Sequence, residues 1–167
     1  VKANAIGDRA TSNALKANAF GSQALSSGVS STAIGTVAHA SGENSIAMGT
    51  HQRVTGANSG SIGYAGEFDP TNVGRESAGT YADNATQVSG TGTYSVGNTN
   101  SNVPSNESGI FGNDNFIQAV ENVRVVGNKN TVSNQGTAAN SPTAITPTLK
   151  DVYITGYNNQ VDGAATE

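Results

Sequence analysis

Large apolar residues recur singly through this chain, each in the same short frame of a small residue, a larger apolar one and a glycine. Ala5-Ile6-Gly7, Ala19-Phe20-Gly21, Ala33-Ile34-Gly35, Ala47-Met48-Gly49 and Ser61-Ile62-Gly63 follow one another at a constant interval of 14 residues. Within each unit, apolar or small residues alternate over about five positions, the period-2 signature of a strand with a different population on each face. Looser columns keep the same beat: Ala10, Ala24 and Ala38 stand three after their glycines, and Gly28, Gly42 and Gly56 seven after. A unit this short cannot bury its own apolar residue, but parallel stacking at ~4.8 Å per coil sets like over like in continuous ladders. The pattern predicts an all-β parallel solenoid with two short strands and two turns per coil. Glycine suits the turn because it accepts positive φ and presents no side chain to the neighbouring coil.

A related phrase returns at Ser95-Val96-Gly97-Asn98-Thr99-Asn100, Ile110-Phe111-Gly112-Asn113-Asp114-Asn115, Val125-Val126-Gly127-Asn128-Lys129-Asn130 and Ile154-Thr155-Gly156-Tyr157-Asn158-Asn159. Its glycine steps are 15, 15 and 29. The last is read as one coil with a loop insertion near 141–150, where Pro142 and Pro147 favour a projecting loop. Residues 1–63 thus form a first array of coils and 94–167 a second. Residues 64–93 show no coil and read as an insertion or loop element, the whole making one continuous domain. In the second array Asn98, Asn113 and Asn128 share one column, and Asn100, Asn115, Asn130 and Asn159 another. Stacked asparagines can bond amide to amide along the axis, and asparagine tolerates left-handed turns.

The alternation places the Ile6, Phe20, Ile34, Met48, Ile62 ladder on one face and the Ala5 to Ser61 ladder on the other. It leaves open which of them closes the coil. A solenoid this thin has little interior, so the remaining apolar strip is expected to be buried against other chains of the same kind. Composition supports a thin interior: Leu, Ile, Val and Phe make up only 30 of 167 residues, whereas glycine alone supplies 21. Charged residues are 12% of the chain and the formal net charge is −4, too little charge for disorder to be the default. Mild acidity with eight scattered Lys and Arg argues against a nucleic-acid partner. There is no cysteine, hence no disulfide or thiolate metal site. No signal peptide and no apolar run of membrane-spanning length is evident, and the chain reads as a piece of a longer one.

Candidate chemistry is sparse. His39 and His51 occupy different places relative to their glycines, and the twelve Asp and Glu are dispersed, so no general acid and base pair is apparent. Glu67 and Asp69, two residues apart, read as solvated loop carboxylates. Asp114 is the only carboxylate within the asparagine-rich phrases, too few for a cation cage. No catalytic, cofactor-binding or metal-binding residue is assigned, no cofactor is expected, and the ligand-binding residues are left unassigned. Repeated Gly-Gly-x-Gly-x-Asp motifs are absent, and Thr91-Gly92-Thr93 stands alone where an ice-binding face would need a ladder.

The Ala-Ile-Gly phrase at 14-residue spacing, joined to Val-Val-Gly-Asn-Lys-Asn-Thr-Val at 125–132, resembles the YadA-like head of trimeric autotransporter adhesins. The resemblance implies a left-handed parallel β-roll assembled as a side-by-side homotrimer, carried on a coiled-coil stalk above a membrane-anchor barrel. No neck, stalk or anchor is recognised in this sequence, so membrane attachment would come only through an anchor absent from it. The implied function is that of a non-enzymatic adhesin head on the bacterial cell surface. It would attach to host cells, extracellular-matrix protein or glycan, or other bacteria, as in autoaggregation and biofilm. A trimeric solenoid of a phage tail fibre, or a polysaccharide-processing enzyme, is the alternative.

Overall fold

The computed structural model describes residues 2–64, 86–98, 100–103, 105–133 and 149–163. These hold eighteen short strands and no helix, taken in pairs as the chain winds. The first array contains β1 (Asn4–Ile6) and β2 (Thr11–Ser12), β3 (Asn18–Phe20) and β4 (Leu25–Ser26), and β5 (Thr32–Ile34) and β6 (His39–Ala40). It continues with β7 (Ile46–Thr50) and β8 (Gln52–Val54), then β9 (Gly60–Tyr64) and β10 (Thr86–Val88). The second array contains β11 (Tyr94–Val96) and β12 (Ser101–Val103), and β13 (Gly109–Phe111) and β14 (Phe116–Gln118). It ends with β15 (Arg124–Asn128) and β16 (Thr131–Ser133), then β17 (Tyr153–Tyr157) and β18 (Gln160–Asp162). Odd strands form one nine-stranded parallel sheet and even strands a second, each strand paired with its equivalent one coil away. The register is that of the sequence columns: Ala5 over Ala19, Ile6 over Phe20, Ala33 over Ala47.

Two sequence boundaries move. The segment 64–93 was expected to lack a coil, yet Tyr64 closes β9 and β10 pairs with β8 and β12. Only 65–85 lies outside the described residues, and the coil resumes on its far side without a change of register. In the last step β15 pairs directly with β17, which makes the 29-residue interval one coil rather than two. Lys150, at the end of the stretch expected to project, is back in a ladder beside Glu121. The remainder of that stretch lies outside the described residues.

The two ladders also sort themselves. Ala19, Ala33, Ala47 and Ser61, followed by Ser95, Ile110, Val125 and Ile154, point inward and are buried. The Ile and Phe ladder points out. Volume decides this: the lumen of a 14-residue coil is filled mostly by Ala, Ser and an occasional Val, with Gln52, whose Oε1 accepts from the Ser61 hydroxyl, as the larger exception. The turns show why. At Gly42 an added Cβ would lie 2.0 Å from the carbonyl oxygen of Gly56, so backbone stacks on backbone there. From the sixth coil an extra residue enters the turn between even and odd strands, and the glycine column gives way to Ser105 and then to buried Val120. The wider coil takes a true aliphatic core of Ile110, Ile117, Val120, Val123, Val125 and Val132. Ser95, a buried hydroxyl without a partner among the described residues, sits where one interior passes to the other.

The column from Gly7 to Gly156 adopts φ between 120° and 151°, and a Cβ on Gly35 would come within 2.1 Å of the Gly49 carbonyl oxygen. Sequence reasoning credited these glycines with the positive φ of the turn. They do have it, but the left-handed position itself falls on the residue two further on, Arg9, Gln23, Val37 and His51, with φ of 54–57°.

Candidate interaction face

The outward side of the odd-strand sheet is two side chains wide and nine strands long, about 38 Å at the usual strand spacing. One column, next to the glycine turns, runs Ile6, Phe20, Ile34, Met48, Ile62, Val96, Phe111, Val126 and Thr155. It is apolar in all but its last member. Exposure is high for large apolar groups, 63% at Ile6 and 57% at Phe111, and only partial at Phe20 and Ile34. The second column, next to the opposite turns, changes character along the axis. It begins with Asn4, Asn18 and Thr32, passes Ile46 and Gly60, and ends with Tyr94, Gly109, Arg124 and Tyr153, the last 71% exposed. Tyr64 and Tyr157, both exposed, extend the strands past the glycines. Of the exposed large apolar residues among those described, only Leu15 and Val29 lie elsewhere, on a turn edge.

In the second array the glycine-turn edge of the face is closed by amide chemistry. In the inner ladder, Asn115 donates its backbone N–H and Nδ2 to Asn100 Oδ1, Asn130 does the same to Asn115, and Asn159 to Asn130, at 2.9–3.1 Å. Nδ2 of Asn100, Asn115 and Asn130 also donates to the glycine carbonyl of the next coil. Each inner carboxamide oxygen therefore faces the following coil. The outer ladder has the opposite sense: Asn98 Oδ1 accepts from Tyr64 N, Asn113 Oδ1 from Asn98 N, and Asn128 Oδ1 from Asn113 N. These oxygens are engaged by amide donors, which supports the structural reading of the asparagines over cation binding. Asp114 lies exposed in a left-handed turn beside them.

Other sequence candidates are not brought together. His39 lies on the outer side of the even-strand sheet, in register with Arg53, while His51 occupies a turn. Burial, and secondarily the Arg53 charge, pushes the His39 imidazole below its ordinary pKa. Glu67 and Asp69 are outside the described residues. Among the described residues, no three His, Asp or Glu side chains converge as a metal site would require. Lys150 pairs with Glu121 at 2.6 Å, an exposed contact that raises the Lys150 pKa first through the hydrogen bond and then through the charge.

Sequence reasoning missed one arrangement on this face. Tyr94 lies across Gly60, its Cδ1 3.2 Å from where a glycine Cβ would be, and the Arg124 side chain lies across Gly109 in the same way, at 3.3 Å. The signal was present as large residues alternating with glycine in one column, but it became visible only once the register of the second array was known.

Comparison with known families finds the YadA head domain repeat, in two copies, at residues 26–51. That span runs from the end of β4 to the turn before β8, through the best-repeated part of the first array. No curated protein matches the chain.

Proposed function

We propose, starting from the YadA-like head domain that these repeats identify, that this chain is the head of a trimeric surface adhesin. Three copies would pack side by side through the apolar column of the odd-strand sheet, with the left-handed winding that the resemblance implies. The observation that carries this reading is the continuity of that column over eight successive strands, from Ile6 to Val126. Scattered exposed apolar residues need no partner, but an unbroken strip along a sheet does. Each large side chain it buries is worth about 1.5–3 kcal/mol, so repetition supplies an extended interface from individually ordinary contacts. Handling of the strip by identical copies is natural, since equal coils bring equal residues to equal heights.

An adhesin role follows from the same geometry. A rigid stack offers the same outward chemistry many times, and linked weak contacts gain from effective concentration. The proposed targets are host cells, matrix protein or glycan, or other bacteria, at the bacterial surface. Light scattering on the purified protein tests the assembly: three chains per particle are expected at micromolar concentration, and a stable monomer overturns the trimeric reading. Binding to matrix, glycan and cell panels tests attachment.

A further inference from the structure

We infer that Tyr94, Arg124 and Tyr153 form a binding site for an acidic glycan; the inference rests on the adhesin reading and names its ligand class. Arg124 is the only charged residue on the two outward columns of the odd-strand sheet. Its side chain is not loose. It lies across Gly109, and Nη1 donates to the carbonyl oxygens of Glu107 and Val123. Among the described residues Nε and Nη2 have no partner, so the guanidinium is fixed by one corner and presents its free side-on fork, which matches a carboxylate. No carboxylate of the described chain engages it.

The surroundings select a sugar as the bearer of that carboxylate. Tyr153 adjoins Arg124 in register on the next strand, and Tyr94 lies two strands before it, its ring packed against Gly60. Tyr94 and Tyr153 are thus three strand spacings apart, about 14 Å. One strand spacing is close to the length of a pyranose in an extended chain, so a linear glycan lying along the axis meets an exposed tyrosine at either end and the arginine between them. Flat aromatic rings present low-entropy stacking surfaces to the C–H faces of sugars, and the site is preorganised by its glycines. The location also fits. This column borders the turns at the rim of the face, and its first members, Asn4, Asn18 and Thr32, are polar, whereas the neighbouring column is the continuous apolar one suited to subunit contact.

The test uses titration calorimetry of the whole purified protein with a tetrasaccharide of alternating glucuronate and N-acetylglucosamine. The carboxyl methyl ester of the same sugar is the control, and particle mass is followed by light scattering. The acid form is expected to bind, the ester at least ~10-fold more weakly, and Arg124→Lys and Tyr153→Ala each to weaken the acid form by ~10-fold or more at unchanged mass. The inference is overturned by no binding of the acid form, by equal binding of the ester, or by loss of mass in both variants, which would make these residues subunit contacts. A monomer that still binds the acid form overturns the trimer alone.

Discussion

Val37 carries the left-handed turn position of its coil at φ 55°, a conformation that costs an L-residue about 1–2 kcal/mol and suits a β-branched one least. Asparagine fills the equivalent role at Asn158 and tolerates it well. Val37→Asn is therefore expected to stabilise the protein by about 1 kcal/mol, read as a raised denaturation midpoint at unchanged slope. The opposite outcome is expected at Asn115, buried and bonded to Asn100, Asn130 and the Gly127 carbonyl. Asn115→Ala strands several buried amide groups and should cost about 2–4 kcal/mol, visible in the same denaturation experiment. Both effects are invisible to a hydrophobic pattern, because one concerns a backbone angle and the other polar atoms within a core.

At the level of strands and turns, the 14- and 15-residue periods were enough to place the odd strands at the glycine phrase and to give each coil a second strand without bounds, since each coil repeats its own register check. They did not say which ladder faces in. Period-2 alternation marks two faces, and here both carried residues suited to an interior; only the small interior of the first array, filled by alanine and hydroxyl side chains, separates Ala from Ile. The boundary at Thr86–Val88 was equally hidden, because that coil, interrupted by its insertion, lacks an adjacent copy of the phrase that identifies its neighbours. Arg124 was hidden for a different reason: its setting depends on Gly109, one coil away in space and 15 residues away in sequence. Pairing of β6 with β8 sets a further condition. His39 is half-buried between Leu25 and Arg53, and its folded pKa lies below 6.5. On acidification the unfolded chain takes up the proton first, so this contribution is intact above pH 6.5 and is lost as the pH falls through the lower folded value. Thermal melts should show a drop from pH 7.5 to pH 5 that His39→Gln makes smaller; an equal drop in both proteins would remove His39 from the account.

For the whole molecule, the interior and the exterior vary independently along one axis. The first coils have a spare core of alanine and hydroxyl groups, the later ones an aliphatic core with asparagine ladders, while the outward apolar column continues across both. Assembly should thus be separable from folding. Phe111→Asp, on an exposed position, is expected to shift the particle toward monomer while far-ultraviolet circular dichroism keeps its β signature; an unchanged trimer would show that this column is not the contact. The two asparagine ladders have one last effect. Their carbonyl dipoles point in opposite directions along the axis, so they oppose rather than add, unlike the aligned peptides of an α-helix. A stack built this way gathers little terminal charge from its asparagine side chains as further coils of that kind are added.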